Sequence, residues 1–148
     1  MPLIYFFCSG NSNRAQLAEG FARIYLSEYF DFISTSFPDE KPILKEAIVV
    51  MKEIGIDISQ YSSPAFNAEQ LKNADVVISI CEEKVDVHIP IQPKLHIHIS
   101  IEEPLVQQDY LEQLHAFRRV RDQLGSEMKH IAAQLVEVYA QKSRHVNM

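Results

Sequence analysis

The sequence has few cysteines, no excess of basic charge and no tryptophan. Only two cysteines occur among its 148 residues, so a disulfide framework is excluded and a reducing, cytoplasmic location fits best. The formal net charge of −6 argues against general nucleic-acid binding, because proteins that bind nucleic acid present a basic surface. No apolar run approaches the roughly twenty residues that span a bilayer, which argues against a membrane protein.

The apolar start of the chain also lacks the marks of a signal peptide. It is short and has no basic flank, so we interpret it as a core strand. Hydrophobic residues make up 47% of the chain and charged residues 23%, which is enough apolar material for a real core. No repeat, low-complexity tract or linker interrupts the sequence. We therefore expect a single domain over residues 1–148 that is a monomer or forms a weak oligomer.

The most informative stretch is Cys8–Arg14, with the sequence CSGNSNR. The apolar run Leu3–Phe7 before it predicts a buried strand, and the spacing of apolar residues after it predicts a helix. The residues expected on the buried face of that helix are Leu17, Phe21 and either Ile24 or Tyr25. The junction between the carboxyl end of a strand and a helix start is an anion site in doubly wound sheets, because free N–H groups and the helix dipole converge there.

The residue types within this stretch suit oxyanion chemistry. Gly10 permits a tight curl of the backbone, and the planar guanidinium of Arg14 can hold two oxygens at once. The same positive groups favour the thiolate of Cys8, which would then be a nucleophile beneath a tetrahedral oxyanion. The predicted oxyanion site comprises Ser9, Gly10, Asn11, Ser12, Asn13 and Arg14. The alternative is a buried Cys8 with a solvated Arg14.

The stretch Cys8–Gly20, CSGNSNRAQLAEG, resembles the loop of the low-molecular-weight protein tyrosine phosphatases, and especially that of the arsenate reductases built on that fold. The similarity continues in residues 50–59, 74–81 and 117–122. The resemblance implies a three-layer α/β fold of the phosphatase I type. Its parallel sheet would have four strands in the order 2-1-3-4, with helices on both faces.

Hydrophobic periodicity predicts the other elements along the chain. Strands are expected over 32–36, 76–80 and 95–101. A helix is expected over 42–54, starting at Pro42 and ending before Gly55. A short helix is expected from Asn67 to Leu71, with a cap formed through Gln70. The last helix is expected over 105–142, with Gly125 as a candidate kink. Pro90 and Pro93 predict a long loop. The apolar face of the last helix is expected to include Leu114, Phe117, Val120 or Arg121, Leu124, Met128, Ile131, Leu135 and Val138.

A second cysteine and a carboxylate complete the predicted catalytic set. Cys81 ends the third strand as Cys8 ends the first, and the implied strand order makes these strands neighbours. A thiol there could attack Cys8; the alternative is a small apolar packing residue. Glu103 precedes Pro104, where the family places an aspartate that protonates the leaving oxygen. Glu102 is a neighbouring candidate, and a solvated loop carboxylate is the alternative for Glu103.

Supporting roles are expected for several other side chains. Asn11 is expected to brace the loop through side-chain hydrogen bonds, and Ser12 to hydrogen-bond the thiolate. The resemblance further suggests a structural monovalent cation behind the loop, held by Asn11, Glu19 and Ser34; the alternative for Glu19 is an exposed helix charge. His96 and His98 share a strand face, but two histidines alone make a poor metal site. A solvated helix face is predicted to carry Arg118, Arg119 and Arg121, and the alternative is a surface that receives an acidic partner.

Three departures from the family pattern leave more than one function open. His88 stands where the thioredoxin-coupled reductases have a third cysteine, Ala15 follows the loop arginine where serine is usual, and Glu103 replaces aspartate. The favoured function is an arsenate reductase that uses Cys8, then Cys81 or an external thiol. The alternatives are a phosphatase acting through a phosphocysteine, or a non-catalytic module that holds phosphate or a phosphorylated partner. Arsenate, phosphate and phosphotyrosine are the candidate ligands.

Overall fold

A four-stranded sheet forms the centre of the protein. The computed structural model describes residues 1–81, 95–104, 106 and 109–146. All strand pairs are parallel, and the order β2-β1-β3-β4 confirms the implied topology. The strands are β1 (Leu3–Ser9), β2 (Asp31–Phe37), β3 (Val76–Cys81) and β4 (Leu95–Ser100).

Helices cover both faces of this sheet, as expected. They are α1 (Arg14–Leu26), α2 (Lys45–Lys52), α3 (Ala68–Lys72) and α4 (Tyr110–Val146). Side chains alternate along β1, so Phe6 and Cys8 pack with α1, α2 and α4, whereas Tyr5 and Phe7 pack on the other face with Leu71 of α3. β1 and β3 are buried along their lengths, which suits central parallel strands.

Helix α2 begins three residues later than predicted, because a side chain from the first loop holds the preceding segment extended. Leu44 has φ −72° and ψ 144°. The Asn13 side-chain amide donates to Pro42 O at 2.9 Å and its carbonyl accepts from Leu44 N at 2.8 Å. Gly55 ends the turn after α2 with φ +82°, as its position predicted.

Burial along the helices differs from the prediction at three positions. Ile24 and Tyr25 are 60% and 40% exposed, because the buried face of α1 continues instead through Ala18, Ala22 and Leu26. Val138 is 48% exposed, whereas Tyr139 stacks edge-on against Phe30. A period of 3.6 residues makes both i+3 and i+4 candidates for the inner face, and packing selects between them.

Gly125 does not divide the last helix. α4 runs without interruption from Tyr110 to Val146, and Gly125 lies where the ring of Phe21 from α1 comes closest. A Cβ atom added at Gly125 would lie 2.9 Å from Cζ of Phe21. The glycine therefore allows close packing of the two helices rather than a bend.

The sequence predicted that the three arginines of α4 form a solvated face, but two of them bind residues of another element. Arg118 and Arg121 both bind Glu53 after α2, at 2.6 and 2.9 Å, and Arg121 also donates to Val50 O at 3.0 Å. Hydrogen bonding from Arg118, together with Arg121, lowers the pKa of Glu53 to about 2. Of the three arginines, only Arg119 is exposed. The pair of arginines therefore ties α2 to α4.

The predicted cap of the short helix α3 is present in the structure. The Asn67 side chain accepts from Gln70 N at 3.1 Å, which confirms the predicted cap of α3. Pro90, Pro93 and His88 lie outside the described residues. Within the described part of the chain, no helix has the length and apolarity needed to cross a membrane.

Candidate functional site

The loop between β1 and α1 curls through two residues with positive φ. Gly10 has φ +84° and Asn13 has φ +56°, a region that glycine and asparagine tolerate best. This curl brings the start of α1 back over the end of β1. The backbone N–H groups of Ala15 and Arg14 lie near the sulfur of Cys8 and act to lower the pKa of its thiol. The cysteine therefore lies under the amino-terminal end of a helix, as the sequence predicted.

Arg14 is anchored by main-chain carbonyls on two sides of the loop. Its Nη1 donates to Ile101 O at 2.5 Å and its Nη2 to Ser9 O at 2.6 Å. The side chain is 1% exposed. A guanidinium carries five N–H donors in a fixed plane, so these two bonds fix its orientation and leave donors for a ligand.

Two polar atoms of the loop are buried without a hydrogen-bond partner. They are Nε of Arg14 and Oγ of Ser12, and both residues are almost fully buried. Buried polar atoms in folded proteins nearly always have partners, so orphaned ones indicate a polar ligand. The Ser12 hydroxyl does not make the bond to Cys8 that was predicted. A hydrogen-bond acceptor such as an oxyanion would satisfy Arg14 Nε.

Asn13, not Asn11, braces the loop with its side chain. The two bonds from Asn13 to the segment before α2 hold the loop against a neighbouring element. Asn11 is exposed, and no side-chain hydrogen bond of Asn11 is found among the described residues. The signal available in the sequence was the residue type at position 13, because asparagine is enriched at left-handed positions of tight loops.

The predicted acid Glu103 contacts the loop directly. The backbone N–H of Asn11 donates to Oε1 of Glu103, and a Cβ atom added at Gly10 would lie 2.5 Å from Oε2. The neighbouring candidate Glu102 instead lines a cavity of about 540 Å³ beside α4, together with Arg119 and Gln123. Of the two carboxylates, only Glu103 has a hydrogen bond to this loop in the structure.

Burial has a larger effect on the pKa of the Cys8 thiol than the positive groups of the loop. Burial raises the pKa of the Cys8 thiol, and the nearby Cys81 thiol adds to that increase. The N–H groups of Ala15 and Arg14 and the Arg14 guanidinium lower the pKa, but by less. The expectation of a ready thiolate is therefore wrong for this conformation, in which Cys8 has no exposed surface.

The second cysteine lies at the same edge of the sheet as the first. β1 and β3 are parallel neighbours, and both thiols are free and buried. The register pairs Cys8 with Ile80, so Cys81 lies one residue further along and on the opposite face of the pleat. Both cysteines lie at the same edge of the sheet, as predicted. Because their side chains start on opposite faces, a Cys8–Cys81 bond requires the end of β3 to turn.

Comparison with known proteins decides which family has this arrangement. Residues 3–142 match the model of the low molecular weight phosphotyrosine protein phosphatases. The chain belongs to this family.

Several of the relatives found are arsenate reductases. The chain is 38% identical over 133 residues to the arsenate reductase of Halalkalibacterium halodurans, covering 88% of this chain and 94% of that protein. It is 37% identical over 134 residues to the enzyme of Bacillus subtilis, with the same coverage. A solved arsenate reductase in the reduced state superposes with a TM-score of 0.74 at 31% identity, covering 91% and 99% of the two chains. The fold is shared with a low molecular weight protein tyrosine phosphatase from T. tengcongensis, which superposes with a TM-score of 0.72 at 23% identity. The match covers 90% of this chain and 99% of that one.

The residues suggested for a monovalent cation do not fit that role in this member of the family. The Glu19 carboxylate, 8% exposed, is already paired with Arg23 Nε at 2.9 Å. Ser34 Oγ accepts from Gln16 Nε2 at 3.3 Å, and Asn11 is exposed. Arg23 lies over the rings of Phe32 and Tyr61. A guanidinium therefore neutralises Glu19, which is the only charged member of the suggested set.

We expect Arg23→Gln to destabilise the fold by about 1–2 kcal/mol, because it leaves a nearly buried carboxylate unpaired while Arg23 itself is 49% exposed. Urea unfolding measures this loss. Glu19→Gln in the Arg23→Gln background should restore most of the stability. A fully additive double variant would show that the pair is not coupled.

His96 and His98 share a strand face, as predicted, and both contact one hydroxyl. Ser79 Oγ lies 2.8 Å from His96 Nε2 and 3.0 Å from His98 Nδ1. Burial and the neighbouring His98 lower the pKa of His96. Among the residues that the structure describes, no group of three or more histidine, cysteine or acidic side chains could hold a metal ion.

Proposed function

We propose that this protein is an arsenate reductase in which Cys8 is the nucleophile and Cys81 the second thiol. The observation that carries the proposal is the placement of the only two cysteines at the carboxyl ends of adjacent parallel strands, beside an arginine-anchored anion loop. A phosphatase needs only the first thiol. The identity of 35–38% to proteins named arsenate reductase supports the same choice.

The first step forms a bond between Cys8 and arsenic. An arsenate oxygen takes the proton of the Cys8 thiol, and the resulting thiolate attacks arsenic. One As–O bond then breaks, and the protonated oxygen leaves as water after it receives a second proton. Arg14 and the loop N–H groups hold the remaining oxygens and stabilise their negative charge. Glu103, which touches the loop at Asn11, supplies a proton to the leaving oxygen.

The second step transfers the electrons. The Cys81 thiolate attacks the sulfur of Cys8, and a Cys8–Cys81 disulfide forms as the S–As bond breaks. The electron pair of that bond stays on arsenic, so As(V) becomes As(III) and leaves as arsenite. The two thiols together lose two electrons, which balances the reduction.

An external thiol must complete the cycle. The sequence has no third cysteine to receive the disulfide from Cys8 and Cys81. A thiolate from outside the chain would attack one of the two sulfurs, pass through a mixed disulfide, and regenerate both thiols with a second thiol. The reductant is therefore a dithiol protein or a pair of small thiols. In a second route, a small thiol attacks the arsenylated Cys8 first, and Cys81 takes no part.

The Cys81→Ser variant tests this proposal. Arsenite release is measured with a dithiol protein and with small thiols as reductants, beside hydrolysis of a generic aryl phosphate. The proposal expects arsenite formation to fall to background, while any aryl phosphate hydrolysis changes by less than about twofold because it needs Cys8 alone. Unchanged arsenate turnover in Cys81→Ser would assign the second route. Aryl phosphate hydrolysis without arsenate turnover, in both proteins and with every thiol, would make the protein a phosphatase.

A further inference from the structure

The loop already binds an anion from its own chain. Asn11 N–H, one of the backbone donors at the crest of the loop, is used by the Glu103 carboxylate. The second oxygen of that carboxylate lies against Gly10, where an added Cβ atom would be 2.5 Å away. A carboxylate and a tetrahedral oxyanion present the same kind of charged acceptor to a backbone N–H. They therefore need the same donor.

The segment that carries Glu103 is held in place by the loop. Ile101, two residues earlier, donates its N–H to Cys81 O at 3.3 Å and accepts from Arg14 at 2.5 Å. These bonds fix the position from which the Glu103 side chain reaches Asn11. The contact with the loop is therefore supported at the backbone as well as at the carboxylate.

The thiol of Cys8 is not accessible to a substrate in this conformation. Cys8 has no exposed surface in this conformation, and burial raises the pKa of its thiol. A substrate cannot reach a fully buried sulfur unless a neighbouring group moves. Glu103 contacts two consecutive residues of the loop that follows Cys8, so its displacement frees part of that loop.

We infer that the Glu103 carboxylate is an internal competitor for the oxyanion site, so that arsenate or phosphate binds only after displacing it from Asn11. This inference rests on the proposed function and adds a regulatory contact at the same site. Competition lowers the apparent affinity for an oxyanion by the fraction of molecules in which the loop is free. Beside the bound oxyanion, the displaced Glu103 side chain takes up a proton more readily, because the protonated form avoids repulsion between two negative charges.

The length of the side chain is what allows the competition. Aspartate is shorter by one methylene group, about 1.5 Å of chain, so an aspartate at position 103 would not reach Asn11 from the same backbone position. Glu103→Asp therefore removes the competitor and keeps an acid. Glu103→Ala removes both. Together, the two variants separate competition from proton donation.

The test measures inorganic phosphate binding to the reduced protein by calorimetry. We expect Glu103→Asp and Glu103→Ala each to bind phosphate about tenfold more tightly than the parent, the size expected when one charged hydrogen bond no longer has to be broken. Glu28→Gln, which removes one exposed negative charge after α1, should leave the affinity unchanged. In turnover, KM should fall in both Glu103 variants, whereas kcat should fall mainly in Glu103→Ala.

The possible results separate this inference from the function on which it rests. Equal, measurable phosphate affinity in the parent and in Glu103→Asp would overturn the competition and leave the oxyanion site intact. A similar gain in Glu28→Gln would also overturn it, because the effect would then be general charge repulsion. Failure of phosphate to bind to any of the proteins would overturn the oxyanion site itself, and the competition with it.

Discussion

Replacing Cys8 with serine is expected to reduce turnover of arsenate, and of any aryl phosphate, by at least about a thousandfold. The hydroxyl is close in size to the thiol, so the loop keeps its shape, but an alcohol is a far weaker nucleophile at neutral pH. The backbone donors and Arg14 are unchanged, so phosphate affinity should stay within about threefold of the parent. Turnover assays and calorimetry on the same preparation measure both quantities.

Cys81→Ser is the matched control for this first variant, since it makes the same substitution in the other buried cysteine. It should retain aryl phosphate hydrolysis and phosphate binding. If Cys8→Ser kept a tenth or more of the parent's rate on either substrate, Cys8 could not be the nucleophile. Loss of phosphate binding in Cys8→Ser alone would instead show that the sulfur contributes to the shape of the loop.

The second large effect is expected from Arg14→Lys. Lysine keeps the positive charge but lacks the planar fork by which Arg14 bonds Ile101 O and Ser9 O through two separate nitrogens and keeps Nε for a ligand. We expect phosphate affinity to fall about ten- to a hundredfold, which corresponds to the loss of one charged hydrogen bond. Stability should also fall, because the loop loses its link to the segment after β4.

Arg119→Lys is the control for the arginine-to-lysine change. Arg119 lies exposed on α4, and its replacement should change neither stability nor phosphate affinity. If Arg14→Lys bound phosphate as tightly as the parent, the assignment of Arg14 to the oxyanion would fail. Urea unfolding of both variants shows whether a loss of affinity reflects the ligand contact or the fold.

Much of the architecture followed from local pattern. The apolar runs before Cys8 and before Cys81 are long, uniform and bounded, so the central strands were predictable. The start of α2 was not, because the Asn13 side chain comes from a distant loop and overrides the preference of Pro42 for a first helical turn. The kink assigned to Gly125 was wrong for a similar reason: the glycine responds to a ring on another helix.

The candidate site shows the same division between local and long-range causes. The place of Cys8 between strand and helix could be predicted because it depends on neighbouring residues. The anchoring of Arg14 by Ile101 could not, because it joins positions 87 residues apart. The pKa of Cys8 was misjudged because the sequence displays nearby charges but not the completeness of burial. The pairing of Glu19 with Arg23 has the i, i+4 spacing of a helix pair, so this signal was present and was missed.

The hydrogen bonds of Ile101 connect the second thiol to the anion clamp. One residue donates to the backbone of Cys81 and accepts from Arg14, so the end of β3 cannot turn towards Cys8 without disturbing the arginine. Oxidation and oxyanion binding are then thermodynamically linked, and such linkage is reciprocal. If closing the disulfide lowers the affinity for an oxyanion by some factor, a bound oxyanion lowers the equilibrium constant for disulfide formation by the same factor. High phosphate would then hold the protein in its dithiol form while it competes with arsenate for the same loop.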